Sequence, residues 1–321
     1  MSQFHAPGIT LAAKQKTLRA PIHGAGVGLH SGARVTMVLR PAPVDHGIVF
    51  RRVDLPGTPL VRAEAGNVRD TTLCTALRGD SGAQVGTVEH IMAALAAAEI
   101  DNLLIDLDGP EVPIMDGSAA PFSFLIACAG VDEQDAERRY IQLLRPVSVR
   151  GQGRSVRLEP AAHFSLDARI VFDHPLIGTQ TYGIDLDAQS FRTELARART
   201  FGFADQIATL RENGLARGGS LDNAVVMSRD GILNPEGLRF EDEFVRHKVL
   251  DAVGDLYLAG APLLARYVGE CAGHAMHHKL LTKLLAQPSA WRYVDADGLP
   301  FTGEPVRAHQ PSALEGLRLS A

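Results

Sequence analysis

The chain has 321 residues, 45% of them apolar and 21% charged, with a formal net charge of −5. That balance predicts a packed globular protein of two ordinary domains or one large one. It carries no long basic run, and so no electrostatic footprint for nucleic acid. Cys74, Cys128 and Cys271 are odd in number and lack a C-x-x-C pair, which argues against a disulfide scaffold or a cysteine-built zinc site and fits a reducing cytoplasm.

Residues 1–15 read as an N-terminal extension. "GITLAA" is too short for a signal-peptide core and is followed by Lys14, Lys16 and Arg19. No apolar run reaches the ~18 residues that cross a bilayer, so no integral membrane segment is expected. From Lys16 the pattern turns β-like. "RVTMVLRP" (34–41) and "GIVFRRVD" (47–54) alternate apolar and polar residues between Pro and Gly punctuation, and "NLLIDLDG" (102–109) reads as a more buried strand. "TVEHIMAALAAAEI" (87–100) predicts a helix with Thr87 as N-cap, and "SAAPFSFLIACAG" (118–130) a second. The charged stretch "VDEQDAERR" (131–139) is the expected linker. Strands then restart at 140–150, 155–160 and 163–173, with helices at about 203–213, 241–259 and 275–286. Two α+β units are expected rather than a doubly wound parallel sheet.

Four stretches bear on chemistry. In "RHKVLDAVGD", His247, Asp251 and Asp255 follow one another at intervals of four, so a helix stacks them on one face. Two readings are open there: a solvated polar face, or a pair of metal ligands one turn apart. In "TVEH", Glu89 and His90 fall in a helix's first turn, where the dipole favours a carboxylate. In "AGHAMHHKLL", His274 follows Gly273 at a strand-to-helix turn, and His277 and His278 follow it. "HGAGVGLHSG" (23–32) is neither a G-x-G-x-x-G fingerprint nor a P-loop, and reads as a turn between strands. A catalytic zinc site needs three protein ligands, an open position and a base near the water. His90, His247, Asp251 and Glu89 supply that inventory, with His274 as a donor to a developing oxyanion. Spacing alone does not bring positions 90 and 247 together.

The blocks "GVGLHSG", "RDTTLCT", "TVEHIMAALAA", "PIMDGSAAPF", "RARTFGF", "GGSLDNAVV", "LRFEDEFVRHKVLDAVGDL" and "GHAMHHKLL" occur in this order. From about Lys16 to Trp291 the chain closely resembles the UDP-3-O-acyl-N-acetylglucosamine deacetylases, zinc enzymes of lipid A biosynthesis. The resemblance implies an α+β fold of two similar domains, 16–132 and 133–300, with a C-terminal tail at 301–321. Each domain is a β-sheet layered with helices, and the helices pack face to face in a β-α-α-β sandwich. It implies Zn2+ bound by His90, His247 and Asp251, and hydrolysis of the 2-acetamido group of a UDP-linked acylated glucosamine with release of acetate. Glu89 is then the general base and Thr200 a hydroxyl donor to the oxyanion. His274 becomes an imidazolium held by Asp255. Lys248 faces the anionic part of the substrate and Phe201 the sugar ring.

Residues 203–226, with Ile207 and Ser220, would form an acyl-chain passage. Phe203, Ile207 and Leu210 make an apolar stripe at i, i+4 and i+7, and Gly214 reads as the helix C′ residue. The family commonly carries asparagines where this chain has His277 and His278, which would bind a second, inhibitory zinc or tune His274. A cytoplasmic monomer is expected. The alternatives are a zinc amidohydrolase of the same fold on another N-acyl sugar nucleotide, and a binding module that has lost catalysis. The latter requires a missing catalytic residue, and none is missing.

Overall fold

The computed structural model describes residues 10–301. Among these, six helices are set against several sheets, a mixed α+β architecture. The helices are α1 (Glu89–Ala97), α2 (Ala120–Ala129), α3 (Ala188–Ser190), α4 (Ala204–Glu212), α5 (Glu243–Tyr257) and α6 (His274–Leu285).

In the first half, a five-stranded sheet has the order Ile22–Val27, Arg34–Pro41, Leu103–Leu107, Ile48–Arg52, Leu60–Arg62. In the second, a seven-stranded sheet runs Val147–Gly151, Arg154–Pro160, Leu263–Glu270, Tyr140–Leu143, Trp291–Val294. Ser165–Val171 also pairs with Leu263–Glu270 and carries Thr179–Asp185 outside it. Most pairs are antiparallel, as the alternating patterns predict. Leu103–Leu107 lies parallel to Ile48–Arg52, however, and Leu263–Glu270 is parallel to both Tyr140–Leu143 and Ser165–Val171.

One core runs through both halves. Phe50 and Ile105 of the first sheet join Ile91 and Leu95 of α1, Val253 and Leu256 of α5, Leu280 of α6, and Leu158 and Tyr267 of the second sheet. Each such aliphatic side chain contributes about 1.5–3 kcal/mol by leaving water. α1 packs closely on α5, and α6 also lies against α5, reaching Asp255 through His274 and His277.

Several expectations are corrected. Lys14 and Gln15, expected in the extension, begin a strand, Lys14–Leu18. The stretch expected as a linker is its antiparallel partner, Val131–Glu137, so the boundary at 132/133 falls inside a strand. Polar alternation there marks an edge ladder rather than a loop. Residues 1–9 and 302–321 lie outside the described residues. Thr87 is not the N-cap of α1: its φ is +56°, and its hydroxyl donates to Glu111 Oε1. The helix begins at Glu89 without a side-chain cap and ends before Glu99, whose φ of +58° turns the chain. The expected strand 140–150 is two strands, split around Pro146. Gly214 is the C′ residue of α4, with φ +77°. No helix of the described residues is long and apolar enough to cross a membrane.

Candidate metal centre

α1 and α5 bring together the residues that the sequence left apart. His90 Nε2 lies 3.6 Å from Asp251 Oδ1, and His247 Nε2 lies 3.3 Å from the same oxygen. The potential ligand atoms of all three lie within 4.8 Å of one another, and all three side chains are buried. The imidazoles meet edge to face, centroids 5.0 Å apart. The solvated-face reading of α5 is thereby overturned. That face is polar, yet it is covered by α1 and α6, so His247, Asp251 and Asp255 are 1%, 1% and 3% exposed.

Asp251 Oδ1 is buried and has no hydrogen-bond partner. Leaving a buried charged acceptor unmatched costs at least about 1–3 kcal/mol. A cation shared with the two imidazole nitrogens removes that cost. Two histidines and a carboxylate suit zinc and leave a fourth position open. His247 Nδ1 donates to Ala198 O at 3.0 Å, which fixes the tautomer that turns Nε2 toward Asp251. Burial, resisted by Asp251, pushes His247 down to about 3, so it stays the neutral imidazole that a ligand must be. Burial alone would raise Asp251, but His247 and Lys248 hold it well below the carboxylate range. Lys248 Nζ bonds Asp251 Oδ2 at 2.8 Å. Burial lowers that lysine, but the charge and hydrogen bond of Asp251, with Glu89 and Asp255, together raise it.

One turn further along α5 is a second buried cluster. His274 and His277 each place Nδ1 on Asp255 Oδ2, at 2.8 and 2.7 Å, and the Thr75 hydroxyl donates to Asp255 Oδ1 at 2.6 Å. His274 opens α6 directly after extended Gly273, and its Nε2 is 4.0 Å from Asp251 Oδ2. Burial lowers His274, but the charge and hydrogen bond of Asp255 prevail and lift it to about 9. It is an imidazolium at neutral pH. Glu89 is 3% exposed and accepts the Thr75 backbone N–H at 3.0 Å. Burial raises its carboxyl, with His274 and His90 opposing. Tyr267 Oη lies 3.0 Å from His277 Nε2. The ligating atoms of Asp255, His274 and His277 also fall within 4.8 Å of one another. Both Asp255 oxygens already carry hydrogen bonds, so this set is arranged to hold protons.

The other expected residues sit at or beyond the edge. Phe201 faces His247 with centroids 6.4 Å apart, and Lys248 Nζ stands 5.5 Å over its ring. Thr200 is half-buried, two residues beyond Ala198, with its N–H on Gly117 O. Phe203, Ile207 and Leu210 are half-buried, and α4 has no buried residue, so the stripe is not sealed into a core. Ser220 is exposed, and its hydroxyl accepts from Asp222 N. Neither Ile207 nor Ser220 belongs to the buried cluster. His278 is half-buried and outside it. The 23–32 stretch is strand and turn as expected. Glu111 cradles the turn, accepting from His30 N, Ser31 N, Ser31 Oγ and Thr87 Oγ1.

Sequence reasoning gave no role to Thr75, Tyr267 or the Ala198 carbonyl. Thr75 lies in "RDTTLCT", a block of the resemblance, but nothing local ties it to a carboxylate 180 positions away.

These features, a mixed α+β fold with a buried two-histidine, one-carboxylate cluster beside a buried carboxylate, are those of a metallohydrolase. The family model described as UDP-3-O-acyl N-acetylglycosamine deacetylase matches residues 15–286. A UDP-3-O-acyl-N-acetylglucosamine deacetylase of Acidithiobacillus ferrooxidans is 52% identical over 284 residues, covering 88% of this chain and 93% of the relative. Relatives of the same name from Chromobacterium violaceum and Myxococcus xanthus are 50% and 51% identical, covering 88% and 90% of this chain and 94% of each relative. The chain belongs to this family of deacetylases.

Proposed function

We propose that the chain hydrolyses the 2-acetamido group of a UDP-linked, 3-O-acylated N-acetylglucosamine, releasing acetate, as a cytoplasmic step of lipid A biosynthesis. The observation that carries this reading is the convergence of His90, His247 and Asp251 around an unmatched buried oxygen, in a chain of this family. His90, His247 and Asp251 would hold Zn2+, which would supply Lewis-acid polarisation of the amide carbonyl and a more acidic water. The rest is done by side chains. Glu89, beside ligand His90, takes the proton from the attacking water. His274, charged because Asp255 holds its Nδ1, faces the developing negative charge through Nε2 and protonates the leaving amine. The Thr200 hydroxyl adds a donor to the oxyanion. Lys248 meets the anionic part of the substrate and Phe201 packs on the sugar.

On this reading the two sheets with their helices are two similar domains that meet after the strand Val131–Glu137, with α1, α2 and α5, α6 face to face between the sheets. The active site lies at their junction, and the molecule acts as a monomer. Residues 203–226, including Ile207 and Ser220, hold the acyl chain. The test is incubation with the UDP-linked substrate and assay of released acetate, with and without a chelator. Acetate release that survives complete zinc removal, or no release from zinc-loaded protein, overturns the proposal.

A further inference from the structure

We propose that the buried Arg199–Glu243 ion pair is the device that positions metal ligand His247, and with it Thr200. The inference rests on the reading that His247 binds zinc. Glu243 opens α5, one turn before His247, and is 0% exposed; Arg199 is 2% exposed. Glu243 Oε1 accepts from both the backbone N and Nε of Arg199, each at 2.9 Å. Its Oε2 accepts from Arg199 Nη2 at 3.2 Å and from Arg239 N at 2.6 Å. The remaining guanidinium donors reach Glu236 Oε1 and Gly237 O, both at 2.7 Å.

A buried ion pair is a poor stabiliser, because desolvation offsets its attraction and apolar residues of equal volume often do as well. The reason for this one is geometric. The Arg199 N–H and the Ala198 carbonyl belong to a single peptide group. Its N–H is held by Glu243, and its oxygen accepts from His247 Nδ1. α5 therefore grips that peptide at two points one turn apart, with the guanidinium fixing the carboxylate between them. A peptide so held sets the rotation of the His247 ring and aims Nε2 at the metal position. Thr200 comes next in the chain and is pinned by its N–H to Gly117 O and by Val225 N to its own carbonyl. Arg199 thus acts through His247 and Thr200 without touching substrate or metal.

The test uses Arg199→Lys, which keeps the charge but loses the fork, and Glu243→Gln, which keeps the shape but loses the charge. Arg138→Lys is the control. Arg138 is equally buried and is paired with Glu99 and Asp101 beyond the end of α1. Zinc affinity is read by competition with a chromophoric chelator on full-length protein shown folded by circular dichroism. The ligand field is read from the visible spectrum of the cobalt-substituted forms. Both Arg199→Lys and Glu243→Gln should bind zinc roughly 10–100-fold more weakly, the usual scale for a group that orients a ligand, and should shift the cobalt bands. Arg138→Lys should do neither. Wild-type affinity and spectrum in the folded variants overturn the inference. So does an equal effect in the control, or failure of both variants to fold, either of which makes the pair a core element only. Unchanged zinc binding in His247→Ala would instead bring down the metal-site reading itself.

Discussion

Gly254 of α5 lies against the backbone carbonyl of Glu89 in α1: a Cβ at position 254 would sit 1.9 Å from that oxygen and 3.0 Å from Ala93 N. The absence of a side chain lets the two helices come this close. It brings the α1 residues Glu89 and His90 onto the His247–Asp251–Asp255 face of α5. Gly254→Ala should therefore push the helices apart. Overpacking of this kind costs about 1–3 kcal/mol, measurable by chemical denaturation. Zinc content should fall with it, because His90 is carried away from Asp251. A variant of unchanged stability and metal content would mean that the helices tolerate wider spacing.

Elemental analysis of the purified protein should give about one zinc per chain, the number that suits a three-ligand site with an open position. His247→Ala should lose most of it. Full zinc occupancy in that variant would remove His247 from the ligand set.

Glu89→Ala should keep its zinc and lose at least ~10²-fold in kcat, the scale of a positioned general base. An active variant would move that role to another group.

Activity should be bell-shaped in pH, because it requires Glu89 ionised and His274 protonated. The acid limb should lie above the ordinary glutamate value, since burial raises Glu89. The alkaline limb should lie near pH 9, where His274 loses its proton. Asp255→Asn removes the charge that raises both groups, so both limbs should move to lower pH. An unmoved alkaline limb would show that Asp255 does not set His274. His274 is raised above its unfolded value of 6.5. Its contribution to folding is therefore complete below about pH 6.5 and is lost as pH rises through about 9.

Ile207→Glu should raise KM steeply for a substrate with a long acyl chain and much less for a short one. Each buried CH₂ is worth about 0.8 kcal/mol. Equal losses on both substrates, in a variant that circular dichroism shows to be folded, would place Ile207 outside the passage.

Much of the architecture was legible because it is local. The alternation in "RVTMVLRP" gave a strand at 34–41, and Gly214 gave the end of α4. The polar stripe of α5 was legible as a stripe, but periodicity could not say what covers it. Thr87 and the 131–137 stretch misled for the same reason. Glu111 takes the threonine's hydroxyl, and Lys14–Leu18 supplies the partner that turns a charged segment into a strand.

By itself the sequence determined the site's inventory. It fixed a histidine and two carboxylates at four-residue spacing on one helix, a Glu-His pair opening another, and a histidine after a glycine at a strand end. The family blocks named the chemistry. Tertiary structure decided what no spacing encodes: that α1 approaches α5 closely at Gly254, that Thr75 and His277 close on Asp255, and that the Ala198 carbonyl holds His247. These contacts join positions tens to nearly 200 residues apart. Folding within the second half makes the Ala198 and His277 contacts, and the packing of both halves into one core brings Thr75 and α1 onto α5. There, burial and neighbouring charge make one histidine neutral and another cationic.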